Sequence, residues 1–62
     1  MTLTELVAMT LARNTLSPKG KDAFDANPTY WNECFSPGER QDFRKSARAV
    51  IKEIRDYESR KK

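Results

Sequence analysis

The sequence predicts an all-α protein, a small three- or four-helix bundle that ends in a long C-terminal helix. Apolar residues recur at spacings of three and four near both ends of the chain, which is the period of helices with one buried face. Two Ser-Pro pairs, beginning at Ser17 and Ser36, are typical of helix starts. No stretch alternates apolar and polar residues with β-branched enrichment, and no Asn-Gly or Asp-Gly pair occurs, so we expect no hairpin.

The longest predicted helix begins at Ser36. Its hydroxyl suits an N-cap, Pro37 suits the first helical position, and Glu39 stands where a side chain can close a capping box onto the Ser36 amide. Because the apolar residues that follow keep the helical period, they form one stripe that we expect to face the core. The stripe consists of Phe43, Ala47, Val50, Ile51, Ile54 and Tyr57.

Shorter helices are expected before it. Thr2 and Glu5 have the capping-box spacing, and a helical period follows over 3–13. A weak helix is expected over 19–26, and one or two helical turns over 30–35. A chain of 62 residues built in this way makes a single domain, 1–62, with a small core. We expect the end of this domain, 59–62, to fray.

Aromatic residues are concentrated where the chain must fold back between its two longer helices. Five of the six lie in this region, namely Phe24, Tyr30, Trp31, Phe35 and Phe43. Aromatic side chains dominate small cores, so core packing is the first interpretation for all five. Tyr30 and Trp31 are adjacent and point about 100° apart on a helix, so we expect one of them to be partly exposed. An exposed ring beside the basic residues of the last helix would anchor a partner.

Composition argues against the commonest kinds of chemical site. The chain has no histidine, and Cys34 is its only cysteine, so an intrachain disulfide, a Cys/His zinc site and a histidine-based triad cannot form. We expect Cys34 to be a small buried apolar residue, with a homodimer bridged through Cys34 as the alternative.

Acidic residues give no stronger prediction of catalysis or metal binding. Asp22 and Asp25 can share a helix face, but paired carboxylates need a cleft that a bundle of this size rarely encloses. Asp22, Asp25 and Glu33 lack the spacing of a calcium loop. We therefore predict no catalytic residue, no metal ligand and no cofactor, and we expect a protein that is not an enzyme.

Charge and hydropathy indicate a water-soluble protein. The net charge is +3, and 34% of the residues are charged against 37% hydrophobic ones, which is polar but sufficient for a core. No stretch approaches the roughly 20 apolar residues that cross a bilayer, and the start of the chain does not resemble a secretion signal. We expect a cytoplasmic protein that does not contact membranes.

The last predicted helix describes a charged surface as well as a core. Its basic residues Arg40, Arg44, Arg48, Lys52 and Arg55 form a ridge beside the apolar stripe, and Glu39, Asp42, Glu53 and Asp56 lie on the opposite flank. The simplest interpretation is a solvated helix face. The functional interpretation is that the ridge binds an acidic protein surface, which charges of one sign would attract and orient.

Two alternatives remain for this surface. The ridge and the basic end of the chain could bind nucleic acid through phosphate contacts, although the acidic flank opposes this. The protein could also be a homodimer instead of a monomer, held through Met9, Tyr57 or other apolar surface.

The segment from Trp31 to Ile54 resembles a known kind of protein tail. Its pattern is Trp31, Phe35-Ser36-Pro37-Gly38-Glu39-Arg40, Phe43-Arg44, Ala47-Arg48 and Ile51. This is similar to the Trp-spacer-Arg-x-x-Tyr/Phe-Arg-x-x-Ala-Arg-x-x-Ile tails of short bacteriophage and prophage proteins. The resemblance implies an accessory protein of the bacterial cytoplasm that binds and modulates, most simply inhibits, a host macromolecule. It implies no catalytic residue.

Overall fold

The computed structural model describes residues 1–61. These residues form four helices, α1 (Leu3–Asn14), α2 (Pro18–Ala26), α3 (Tyr30–Cys34) and α4 (Pro37–Arg60), and no strand. The predicted all-α fold with a long C-terminal helix is therefore confirmed. Helix α4 includes Ser59 and Arg60, and Lys62 lies outside the described residues, so the expected fraying of 59–62 stays a prediction.

The long helix begins on the cap that the sequence predicts. The Glu39 amide donates to Ser36 Oγ at 3.2 Å, and the Ser36 amide donates to Glu39 Oε1 at 3.0 Å, which completes the capping box. In α1 only half of the corresponding box forms. The Glu5 amide donates to Thr2 Oγ1 at 3.1 Å, but the Glu5 carboxylate turns away from the Thr2 amide toward Trp31 and Arg44.

Local polar contacts fix the start of α2 and the turn that connects it to α3. Ser17 caps α2 by accepting from the Gly20 amide at 3.3 Å. A Cβ at Gly20 would lie 3.0 Å from Leu16 Cβ, so a glycine here lets the start of α2 approach the preceding turn closely. Asn27 Oδ1 accepts from the amide of Thr29 at 3.0 Å and from its hydroxyl at 2.9 Å, which fixes the turn between α2 and α3.

The core lies chiefly between α1 and α4. Ala8 and Ala12 of α1 and Ala47 of α4 are completely buried, and these small side chains let the two helices approach closely. Trp31 and Phe35, which lie four residues apart around the end of α3, close this core and are 4% and 8% exposed. The core is thus small, as the chain length led us to expect.

The aromatic residues form one connected cluster over this core. Six ring pairs among Phe24, Tyr30, Trp31, Phe35 and Phe43 have centroid distances between 5.4 and 6.5 Å. These separations are typical of tilted and edge-to-face aromatic packing. The predicted packing role of the five rings is confirmed.

Three residues of the apolar stripe in the second half of α4 are exposed. At 1.5 Å per residue, the 12 residues of α1 span about 18 Å and the 24 residues of α4 about 36 Å, so one helix cannot shield the other along its whole length. Val50, Ile54 and Tyr57 lie on a different side of α4 from the buried Ile51 and are 38%, 51% and 62% exposed. The expectation that the whole apolar stripe faces the core is wrong for these three residues.

Candidate interaction surface

Arg44 of the predicted basic ridge makes contacts that hold the helices together. Arg44 donates from Nε to Glu5 Oε2 at 3.0 Å and from Nη2 to Glu5 Oε1 at 3.1 Å, and its guanidinium lies 5.9 Å from the centre of the Trp31 ring. The Trp31 indole N–H donates to Glu5 Oε1 at 2.6 Å. One carboxylate of α1 therefore binds a residue of α3 and a residue of α4, and it ties three helices together.

These contacts also shift the pKa values of Glu5 and Arg44 so that both side chains are held in their charged forms. The hydrogen bond from Arg44 lowers the pKa of Glu5 below its ordinary value of 4.5; the Trp31 hydrogen bond acts in the same direction, and partial burial opposes both. The hydrogen bond to Glu5 raises the pKa of Arg44. The two side chains are only 27% and 29% exposed, so this ion pair is better shielded from water than an ordinary surface pair.

Arg40 is also engaged within the fold. Its Nη1 donates to the carbonyl oxygen of Asn32 at 2.7 Å and makes a longer contact of 3.4 Å with Asn32 Oδ1. This contact joins the first turns of α4 to α3. Arg40 and Arg44 are both predicted to bind a partner, and both hold tertiary contacts in the structure, so a partner contact of either stays a prediction.

The two candidate aromatic anchors differ in exposure. Trp31 is 4% exposed and its indole N–H is already bonded to Glu5, so its predicted role as an exposed anchor is wrong. Tyr30 is half-buried, which agrees with the expectation that one of the adjacent rings is partly exposed. Its ring packs on Phe24 and Phe35, with centroids 5.4 and 6.0 Å away. A contact between Tyr30 and a partner stays a prediction.

The other three ridge residues meet at an open groove beside the first turn of α1. Arg48, Lys52 and Arg55 line it, together with Leu3, Thr4, Ile51 and Asp56. We call this surface the basic groove. Within residues 1–61, none of its three cations makes a hydrogen bond or ion pair. Three cations and one carboxylate leave the groove with a net charge of +2.

The groove has an apolar floor. Ile51 is 9% exposed and continues the core, whereas Leu3 is 55% exposed at the groove's edge. The space of about 290 Å³ lies at the lower limit of small-molecule sites and is open to solvent. It is suited to receive a side chain from the surface of a partner.

Asp25 and Cys34 have different surroundings in the structure. Asp25 pairs with Arg13 through two contacts of 2.8 Å, which joins α1 to α2 and lowers the pKa of Asp25.

Cys34 is exposed, so the expectation that it is buried is wrong. Trp31 and Phe35 take the inward side of this segment, and Cys34, at the end of the five-residue helix α3, points away from it.

Sequence reasoning missed two contributors to this region. Glu5 is predicted only as a capping residue, because its spacing from Thr2 is the sole local signal. Leu3 is predicted only as part of the first helix, yet it lies at the edge of the basic groove. Both assignments depend on contacts between residues far apart in the chain, which local patterns do not contain.

Comparison with known proteins identifies no relative: no family model, no curated protein and no solved structure matches this chain. The resemblance to phage and prophage tails therefore stays a prediction. In the described part of the chain, no three His, Cys, Asp or Glu side chains are grouped so that they could hold a metal ion. Among residues 1–61, no helix is both long and apolar enough to cross a bilayer.

Proposed function

We propose that this is a non-catalytic binding protein that docks its basic groove on an acidic surface of a host protein. The observation that carries the proposal is the meeting of Arg48, Lys52 and Arg55, all without internal partners in residues 1–61, around an apolar floor. Binding would modulate, most simply inhibit, the host protein in the bacterial cytoplasm. The bacterial setting comes from the resemblance of the Trp31 to Ile54 segment to phage and prophage tails.

The chemistry of the groove favours a protein surface with both acidic and apolar groups. Arginine is enriched among residues that dominate interface energies, and it pairs with carboxylates through two parallel hydrogen bonds. Charges at the rim accelerate encounter, whereas an apolar contact at the centre slows dissociation. The groove offers both, since Arg48 and Arg55 flank a surface that contains Leu3 and Ile51.

Nucleic acid is the weaker alternative. Arg40 and Arg44 are used within the fold, so three of the five ridge cations remain for phosphates, and Asp56 lies among them. Three phosphate contacts from the ridge, without the basic end of the chain, would give a salt dependence of affinity with a slope of only about −2.7 on logarithmic axes. Few contacts of this kind and a nearby carboxylate support a protein partner over a polyanion.

Charge reversal in the groove should abolish partner capture. We expect wild-type protein to capture one stoichiometric protein from a bacterial lysate, and the double variant Arg48→Glu/Arg55→Glu to lose it. Lys52 stays between the two introduced carboxylates and limits their effect on the helix. The matched control is Lys19→Glu/Lys21→Glu on α2, which changes the net charge equally and lies outside the groove.

The outcomes separate the two proposed functions. Retention of the partner by the control and its loss by the groove variant support the proposal, whereas equal capture by all three proteins contradicts it. A labelled DNA duplex at about 50 mM salt should show no binding by fluorescence anisotropy. DNA binding that the groove variant lacks would instead support the nucleic-acid alternative.

A further inference from the structure

A second surface of α4 stands apart from the basic groove. Val50, Ile54 and Tyr57 lie at positions i, i+4 and i+7, so they share one face of the helix, and they are 38%, 51% and 62% exposed. We call them the apolar row. Around the helix the row lies about 160° from the mean direction of Arg48, Lys52 and Arg55. A partner on one of these surfaces therefore leaves the other accessible.

The row lies on the C-terminal half of α4, on a different side of the helix from Ile51, which lies beside Leu3 and Thr4 of α1. The described chain measures 41 × 23 × 19 Å, and its radius of gyration is 13.3 Å. A compact domain of this length would have a radius of about 11 Å. The apolar row thus lies along an elongated molecule, on a side of α4 away from the α1 residues that line the basic groove, so a second helix can approach it.

We propose that the apolar row pairs with α4 of a second copy of this chain, with the two helices antiparallel. In the register that places Ile54 against Tyr57 of the second copy, the symmetry places Tyr57 against Ile54 in return. Val50 then lies opposite Lys61 of the second copy, whose aliphatic stem can cover it while the ammonium stays in water. The three row residues are covered in this arrangement.

Charge complementarity selects this orientation. Glu53 and Arg60 lie seven residues apart on the same flank of the row, and both are exposed. Antiparallel pairing in this register brings Glu53 beside Arg60 of the second copy, and the symmetry repeats the pair. Parallel pairing would instead bring Glu53 beside Glu58 of the second copy, which is repulsive. A second copy is thus the occupant whose charges fit the flank.

Arg60 has donors available for this contact. Its Nε donates to the Asp56 carbonyl oxygen at a long distance of 3.3 Å, and within residues 1–61 its two terminal nitrogens make no hydrogen bond. The apolar row consists of three residues, whereas each partner in a standard stable interface buries roughly 800 Å². The dimer should therefore be weak and concentration-dependent. It would display two basic grooves on its outer sides.

Sedimentation velocity between about 10 μM and 1 mM tests the proposal. Wild-type protein should shift from monomer to dimer over this range, and Ile54→Glu should stay monomeric, with its helix content checked by circular dichroism. Ile54 is 51% exposed, so this substitution should leave the fold intact. The groove variant Arg48→Glu/Arg55→Glu should dimerise like wild type, which separates this proposal from the proposed function.

A charge swap tests the register. Glu53→Arg alone and Arg60→Glu alone should each weaken the dimer about 3- to 30-fold, because each places like charges side by side twice. The double variant Glu53→Arg/Arg60→Glu should restore wild-type association. A wild-type protein that stays monomeric at 1 mM, or single variants that dimerise as well as wild type, would overturn the proposal.

Discussion

Replacing Trp31 with alanine should leave most of the protein unfolded. Truncating a buried tryptophan costs about 3–5 kcal/mol, and a core of this size rarely supplies more than about 3–5 kcal/mol in total. Trp31 is 4% exposed, packs on Phe35 and Phe43, and donates its indole N–H to Glu5. Its loss therefore removes the packing of α3 on Phe43 of α4 and the hydrogen bond from α3 to Glu5 of α1, and it leaves the Arg40 contact with Asn32 between α3 and α4.

Circular dichroism at 222 nm during urea titration measures this effect through the helix content. The graded control is Trp31→Phe, which keeps an aromatic ring but lacks the N–H donor, and it should lie between wild type and Trp31→Ala. A Trp31→Ala variant that unfolds at the wild-type urea concentration would contradict the position that we assign to this side chain.

Replacing Glu5 with alanine should have the next largest effect. The change leaves the Trp31 indole N–H and the Arg44 guanidinium without their acceptor, and hydrogen bonds to a charged group contribute about 1.5–3 kcal/mol. Because the Glu5 side chain is 27% exposed, water can replace part of these hydrogen bonds. We therefore expect the free energy of unfolding to fall by about 2 kcal/mol. The control Glu58→Ala, at an exposed position, should leave the urea midpoint unchanged.

The same residue makes stability depend on pH. The pKa of Glu5 in the folded protein lies below its ordinary value of 4.5, chiefly because of the Arg44 hydrogen bond. The unfolded chain therefore binds the proton first as the pH falls. The contribution of Glu5 to the free energy of unfolding is complete above pH 4.5 and is lost as the pH falls through the pKa of Glu5 in the folded protein.

Urea midpoints measured from neutral pH to pH 3 test this linkage. Asp25 and Glu39 also have lowered pKa values, from the Arg13 hydrogen bond and from the Ser36 backbone and hydroxyl, so wild-type stability should fall steadily in acid. The variant Glu5→Gln should be less stable at neutral pH and should lose less on acidification. Parallel curves for the two proteins would show that Glu5 does not titrate as described.

Local signals predicted the helices well. The Ser36 capping box and the Ser17-Pro18 start are determined by residues within one turn of each other, so no tertiary contact is needed to recognise them. The aromatic cluster was also predictable, since most of the rings lie in the segment where the chain reverses. What local patterns could not show is how far α1 reaches along α4.

The division of the basic ridge illustrates that limit. Arg44 and Arg48 are equivalent in the sequence pattern, since each continues the same i, i+4 ridge. Arg44 meets a carboxylate 39 positions earlier in the chain, whereas Arg48 lies one turn further along α4, at the basic groove. Only the packing of α1 on α4 distinguishes them, and it turns one arginine into a tertiary contact and leaves the other available to a partner.

Comparing Arg44→Glu with Arg48→Glu tests this division most directly, because the two variants make the same substitution one helical turn apart. Urea midpoints and lysate capture should be measured for both. Arg44→Glu should lower the urea midpoint clearly, since it places a second carboxylate beside Glu5, whereas Arg48→Glu should keep the wild-type midpoint and weaken capture. Equal midpoints for the two variants, or undiminished capture by Arg48→Glu, would contradict the separation of fold and interaction surface on α4.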